Sequence, residues 1–216
     1  MGYGDDVIDP ATAQGVIDAF HAVYFNRVAS LRWLGVPAMK CPVDLFAYQE
    51  LICQTQPDVI IETGTAFGGS AMFLASVCQA IGRGRVITVD TVIAQTRPMH
   101  PLVTYLIGSS TDNNIVERVR QETCGDRTMV ILDSDHHADH VYAELDLYSG
   151  MVTPGCYLIV EDTNLNGHPV VPSFGPGPWE ALEAWLPEHR EFERDEDIIK
   201  KHILSFNPGG YLRKRD

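Results

Sequence analysis

The chain has 216 residues and a formal net charge of −13, long enough for one well-buried core and short for two. That charge excludes a nucleic-acid binder, because phosphate demands a basic face, and the short basic end Arg213-Lys214-Arg215 does not supply one. No apolar run reaches membrane-spanning length, the acidic start Met1-Gly2-Tyr3-Gly4-Asp5-Asp6 lacks a signal-peptide pattern, and five scattered cysteines without a Cys-x-x-Cys pair read as reduced thiols of a cytoplasmic protein.

Residues 1 to about 10 are expected to fray, ending at Asp9 as an N-cap with Pro10 in the first helical position. Apolar residues at 13, 16, 17, 20, 23 and 24 predict a helix from Ala11 to about Ser30. Trp33-Leu34-Gly35-Val36-Pro37 breaks the pattern. A second helix is expected from Asp44 to about Gln54, burying Leu45, Phe46, Tyr48, Leu51 and Ile52, with Pro57 stopping it. The division that results is a helical extension over 1–56 and a core over 57–216, within a single domain spanning 1–216.

The core opens on Val59-Ile60-Ile61-Glu62-Thr63, a short apolar run of the kind that forms a buried parallel strand. Gly64, Thr65, Ala66, Phe67, Gly68, Gly69 and Ser70 form a glycine-rich turn, and an apolar helix follows from Ala71 to Ile81. Strands are then expected over Arg85–Asp90, Val103–Ile107, Thr128–Asp133 and Cys156–Val160, with helices over Asp112–Thr123 and Ala138–Ser149. This alternation predicts an α/β fold, a Rossmann-like, mostly parallel sheet with helices on both faces. Residues 163–178, rich in proline and glycine, form a loop too long for an idle connection and are assigned to the substrate. A helix over Pro178–Leu186 and an antiparallel terminal strand system at Phe192, Ile203–Phe206 and Tyr211–Arg213 complete the chain.

Ligands of such sheets bind beyond the carboxyl ends of the strands, where the acids of this sequence gather. The glycine turn and the helix start behind it offer free N–H groups to an anion. Asp90, ending the second strand, suits the two hydroxyls of a ribose, which NAD and S-adenosylmethionine both carry. Ala66 stands where a dinucleotide fingerprint needs its second glycine, which favours S-adenosylmethionine. Gly64 and Ser70 are then expected at its amino-acid end, Glu62 opposite its positive charge, and Ser110 at the adenine edge. Asp133, Glu161 and Asp162 repel one another unless a cation sits between them, and an all-oxygen set suits Mg²⁺. His136, three residues past Asp133, is the candidate base. His136 and His140, four apart, also allow a zinc site, which lacks an identifiable third ligand. His137 and His140 otherwise read as surface histidines.

Ile61-Glu62-Thr63-Gly64 with Gly68-Gly69-Ser70, Asp90, Gly108-Ser109-Ser110, Asp133 and Glu161-Asp162 together resemble the cation-dependent class I O-methyltransferases, the catechol O-methyltransferases among them. Trp33-Leu34-Gly35-Val36-Pro37, Pro42-Val43-Asp44-Leu45, Tyr48-Gln49-Glu50, Pro176-Gly177-Pro178 and Asn207-Pro208-Gly209-Gly210-Tyr211-Leu212 are similar to signatures of the cephalosporin hydroxylase/rhamnosyl O-methyltransferase family. The resemblance covers roughly residues 30 to 215. It implies S-adenosylmethionine bound at Glu62, Gly64, Thr65, Gly68, Gly69, Ser70, Asp90, Ser110 and Asp133. It also implies Mg²⁺ or another divalent cation on Asp133, Glu161 and Asp162, with catalysis by His136 and Asp133. The implied general base is lysine in catechol methyltransferases and histidine in macrolide-sugar methyltransferases. No pattern of two histidines and one carboxylate supports iron hydroxylation.

The expected activity is O-methylation of a hydroxyl on a small natural product or sugar, by a cytoplasmic homo-oligomer without nucleic-acid or membrane partners. The competing reading is an accessory protein that keeps the fold and the cofactor pocket to assist a partner enzyme. The intact acidic set with His136 favours the enzyme.

Overall fold

The computed structural model describes residues 9–92 and 96–216, so most of the expected frayed start lies outside the described residues. Helix α1 (Pro10–Tyr24) begins where the side chain of Asp9 accepts the amides of Ala11 and Thr12. It gives way to a 3₁₀ turn over Phe25–Ser30 rather than continuing as one helix. Of its apolar stripe Val16 and Val23 are exposed and Ala13, Ile17, Phe20 and Tyr24 are half-buried, and His21 is its buried residue. The break at residues 33–37 is a hairpin, β1 (Arg32–Trp33) against β2 (Val36–Pro37).

Helix α2 (Pro42–Thr55) buries Ala47, Tyr48, Leu51 and Ile52. Phe46, expected on that face, is exposed and lies near the His202 ring. The core elements follow in turn: β3 (Val59–Thr63), α3 (Gly69–Ile81), β4 (Arg85–Asp90), β5 (Val103–Ile107), α4 (Asn113–Glu122), β6 (Thr128–Leu132), α5 (Ala138–Ser149) and β7 (Tyr157–Val160). Helix α6 (Pro178–Trp185), β8 (Phe192–Arg194), α7 (Glu196–Lys201) and β9 (Tyr211–Lys214) end the chain. The main sheet has the order β5-β4-β3-β6-β7-β9-β8. It is parallel through β7, while β9 runs antiparallel to both β7 and β8.

Successive side chains of a strand point to opposite faces, and this divides the interior in two. Val59, Ile61, Val130, Leu132, Leu158 and Val160 pack toward α4, α5 and α6. Ile60, Met129, Ile131, Tyr157, Ile159 and Tyr211 pack toward α2, α3 and α7. Continuous apolar runs therefore mark strands covered on both faces. Each fully buried Ile or Leu contributes about 1.5–3 kcal/mol of transfer free energy.

The expected strand at Ile203–Phe206 does not form. The chain turns there after α7, and the amide of Phe206 donates to the Asp44 side chain instead of to a ladder. Among the described residues no helix is long and apolar enough to cross a membrane.

The hairpin meets the core through Trp33, edge-on to Phe73, and through a close backbone approach at one glycine. A Cβ on Gly69 would stand 2.2 Å from the carbonyl oxygen of Pro37, so the start of α3 and the end of β2 touch backbone to backbone. Gly69→Ala is expected to lower unfolding free energy by about 1–3 kcal/mol through overpacking. Gly15→Ala, in α1 with nothing within 4 Å, should raise it by roughly 0.5–1 kcal/mol. Chemical denaturation of both variants checks the contrast, which fails if the two shift alike.

Candidate active site

The sheet order reverses between β4 and β6, on either side of β3, and the carboxyl ends of these strands open into a cavity of about 570 Å³. Among its lining residues are Gly64, Ser70, Asp90, Ser110, Asp133 and His136. Gly64 is in the left-handed region (φ 86°), and a Cβ there would fall 1.7 Å from the Asp133 carbonyl. The glycine therefore lets the β3 tip lie against the β6 tip.

Four residues expected to touch a cofactor do not line this cavity. Thr65 turns inward, its hydroxyl 2.7 Å from that of Thr88. Gly68 caps α3 under Pro98 and Tyr105, and Gly69 faces Pro37. Glu62 lies fully buried beneath the floor, where one oxygen accepts from Thr88 at 2.6 Å and Oε1 has no hydrogen-bond partner. Burial raises its pKa despite Lys40 nearby.

Asp90 is held from three sides. Its carboxylate accepts the amides of Val92 (2.9 Å) and Ala66 (2.8 Å) and the Arg97 guanidinium (2.9 Å). Arg97 also donates to the Ala66 carbonyl at 2.9 Å, tying the glycine turn to the β4 tip. The sequence reading missed Arg97, which carries no motif and lies in a loop.

Asp133 and Glu161 each stand one residue beyond adjacent parallel strands. The two carboxylates share the ammonium of Lys40, which lies 2.6 Å from Glu161 Oε1 and also contacts Asp133. The expected convergence of three acids is therefore modified. Glu161 is tied to Lys40, while Asp133, His136 and Asp162 bring ligand atoms within 4.8 Å of one another. His136 Nε2 lies 2.8 Å from Asp162 Oδ2 and 3.4 Å from Asp133 Oδ1. Burial works against a charged imidazole, but these two carboxylates more than offset it and raise the His136 pKa well above its usual value. Burial also opposes ionisation of Asp133, but Lys40 and His136 hold its pKa below the usual range. Burial and the charge on Asp133 push Glu161 well up.

The other histidines separate. His137 is exposed, with Nδ1 2.6 Å from Asp135 and its ring stacked on Phe174. His140 is not a surface histidine. It lines the cavity, with Nε2 3.0 Å from Ser134 Oγ and 3.1 Å from Ser110 Oγ. Nε2 thus serves the serines and is not paired with His136 in a zinc set.

Asp162 has left-handed backbone (φ 51°), a conformation costly for a non-glycine residue. Asn207 holds it by accepting the Asp162 amide at 2.9 Å, and Asn207 Nδ2 in turn donates to Tyr48 Oη at 2.9 Å. Beside them the buried Asp44 accepts from Tyr211 Oη (2.6 Å), the Phe206 amide (3.0 Å) and Ser205 Oγ. Asn207 belongs to a segment that the sequence singled out, but its contact with Asp162 spans 45 positions and left no local sign.

A mostly parallel seven-stranded sheet ending in the antiparallel β7-β9-β8 arrangement, with an acid at the β4 tip, is the architecture of the class I methyltransferases. The profile of the Rhamnosyl O-methyltransferase/CmcI family matches residues 26–215. Rhamnosyl O-methyltransferase of Mycobacterium tuberculosis is 37% identical over 210 residues, covering 93% of this chain and 85% of that protein. That of Mycobacterium leprae is 36% identical over 209 residues, with 93% and 91% covered. A CmcI structure with magnesium and S-adenosylmethionine superposes with a TM-score of 0.67 at 19% identity, over 87% of this chain and 78% of that one. MycE of the mycinamycin pathway, in complex with Mg, SAH and mycinamycin VI, gives 0.52 at 17% identity, over 80% and 46%. At these identities the structural likeness speaks for the fold alone. The chain belongs to the rhamnosyl O-methyltransferase/CmcI family, and its class is that of the S-adenosylmethionine-dependent O-methyltransferases.

Asp44 gives the site a pH signature. Burial raises its carboxyl to about 6 against the three hydrogen bonds that favour the charge. A raised folded-state pKa means that the native chain binds the proton more tightly. The resulting stabilisation is complete below about 3.8 and is lost as pH rises through about 6. Asp44→Asn removes this titration. Its unfolding free energy relative to the unsubstituted chain should therefore climb between those pH values and level off above them. Urea denaturation across the window checks this, and a flat difference would contradict it.

Proposed function

We propose that the chain methylates a hydroxyl of a sugar or sugar-bearing natural product, using S-adenosylmethionine and a divalent cation such as Mg²⁺ held by Asp133, Glu161 and Asp162. The observation that carries this reading is the gathering of Asp133, His136 and Asp162 where two cavities meet. The second cavity, about 270 Å³, shares Met39 and Asp162 with the first. Phe25 and Phe206 give it flat apolar walls, and Asn26 and Asp44 give it polar ones, a combination suited to the C–H face and hydroxyls of a sugar ring. The rhamnosyl methyltransferases among the relatives support the same acceptor class.

The residues present fit both groups. Asp133 and Asp162, gathered this closely with Glu161 beside them, suit a hard divalent cation, which takes oxygen ligands. Beneath the glycine turn, Glu62 Oε1 is a buried acceptor without a hydrogen-bond partner. When bound, S-adenosylmethionine supplies an electrophilic methyl group, and a divalent cation supplies charge that acidifies a hydroxyl. Asp90 accepts the ribose hydroxyls, Ser70 and the first amides of α3 take the carboxylate, and Ser110 borders the adenine. His136 Nε2, beside Asp162 and Asp133, takes the proton of the attacking hydroxyl once it is neutral and free of those carboxylates. The imidazole starts neutral when further positive charge shares its two carboxylates.

Three measurements test the reading. Asp90→Ala should weaken S-adenosylmethionine binding by about 1.5–3 kcal/mol in calorimetry, and unchanged affinity would remove the ribose assignment. Chelation should abolish turnover of a rhamnosyl acceptor, with Mg²⁺ restoring it; full activity in excess chelator would make the acids structural. His136→Ala should lose roughly 10²–10⁴-fold in kcat while cofactor affinity holds. A kcat within about threefold of the unsubstituted enzyme, well below that range, would leave positioning alone as the role of His136.

A further inference from the structure

Lys40 has no part in the chemistry above, yet its side chain is 4% exposed and joins the two acids at the β6 and β7 tips. Burying a lysine is costly unless it is paired. Here burial is outweighed by Asp133, Glu161 and Glu62, which keep the amine protonated. Asp133 and Glu161 are two of the three carboxylates assigned above to the divalent cation. An ammonium in contact with both occupies oxygens that a metal ion would need. Lys40 also lines the second cavity, so space lies on that side for the ammonium if it leaves the acids.

We propose that Lys40 is a tethered competitor for the divalent-cation site: its ammonium holds Asp133 and Glu161 together until a divalent cation takes their oxygens, and it then moves toward the second cavity. The proposal rests on the reading of Asp133 and Glu161 as cation ligands. It makes Lys40 a positioning residue that keeps the acids gathered before loading and sets the affinity of the site. Lys40→Met keeps much of the length and the apolar stem while removing the competing charge.

Calorimetric titration of Mg²⁺ into the full chain and into Lys40→Met, without acceptor, separates the possibilities. Binding tighter in the variant by roughly 5–150-fold, the span of a typical coupling between sites, supports the competitor, as does binding seen in the variant alone. Equal or weaker binding in the variant, with clear binding in the unsubstituted chain, overturns the competitor and leaves the metal site standing. Absence of binding in both overturns the metal reading and the competitor with it. Should Lys40→Met fail to fold, the unsubstituted chain carries the test. Amine methylation followed by peptide mass spectrometry should label Lys40 several-fold faster in saturating Mg²⁺ than in chelator. An unchanged labelling rate, where calorimetry shows Mg²⁺ bound, overturns the proposal.

Discussion

Three carboxylates at the tips of two adjacent strands are the constraint around which this structure is arranged. Such a group is tolerated only if cations meet it, and the chain supplies two. Lys40 comes from the segment between the hairpin and α2, and His136 from the turn after β6. The N-terminal extension is thereby part of the site. Gly69 permits backbone contact between β2 and α3, that contact directs Ala38-Met39-Lys40 under the strand tips, and the ammonium lands on Asp133 and Glu161.

A second dependence runs through Asp162. Its left-handed backbone is unfavourable alone and is fixed by Asn207, which is fixed in turn by Tyr48 of α2. The buried Asp44, also in α2, holds the neighbouring turn through Ser205, Phe206 and Tyr211. Helix α2 therefore braces the acid from behind while the segment before it supplies the ammonium. Residues behind the strand tips thus set the direction of Asp162, a carboxylate that lines both cavities.

The sheet was legible because its signals are local. Apolar runs such as Val59–Ile61 and Met129–Leu132 are short, β-branched or aliphatic, and bounded by turns, which specifies buried parallel strands. Asp90, Asp133 and Asp162 stood out because acids that follow such runs fall at strand tips. What stayed hidden depends on distant partners. Nothing near Lys40 announces a cation buried against residues 93 and 121 positions away. Thr65, Gly68 and Gly69 belong to the cofactor set that the resemblance implies; in the structure Gly69 packs against Pro37 and the Thr65 hydroxyl meets that of Thr88. The apolar Ile203–Phe206 run reads as a strand, yet the Ser205 amide closes a turn onto His202 and the Phe206 amide goes to the Asp44 side chain in α2. Phe46 was misplaced because α2 also buries polar Asp44 and Thr55, so apolar periodicity alone misstates its inner face.

The two cavities also bear on the geometry of transfer. Displacement at a methyl carbon requires the attacking oxygen opposite the leaving sulfur, so donor and acceptor must approach from different sides of one point. Asp90 and Ser110 line only the first cavity, Phe25 and Phe206 only the second, and Asp162 and Met39 line both. His136 lies on the first side, reaching Asp162 across the boundary. On the proposed reading, a base there would act on a hydroxyl that has entered far enough to meet Asp162, leaving the rest of the acceptor in the second cavity. Selectivity among acceptors would then reside in the 3₁₀ turn and in the segment around Phe206, away from the strand tips that carry the chemistry. Acceptor range could then diverge through those two segments while the acids, histidine and lysine stay fixed by one another's charge.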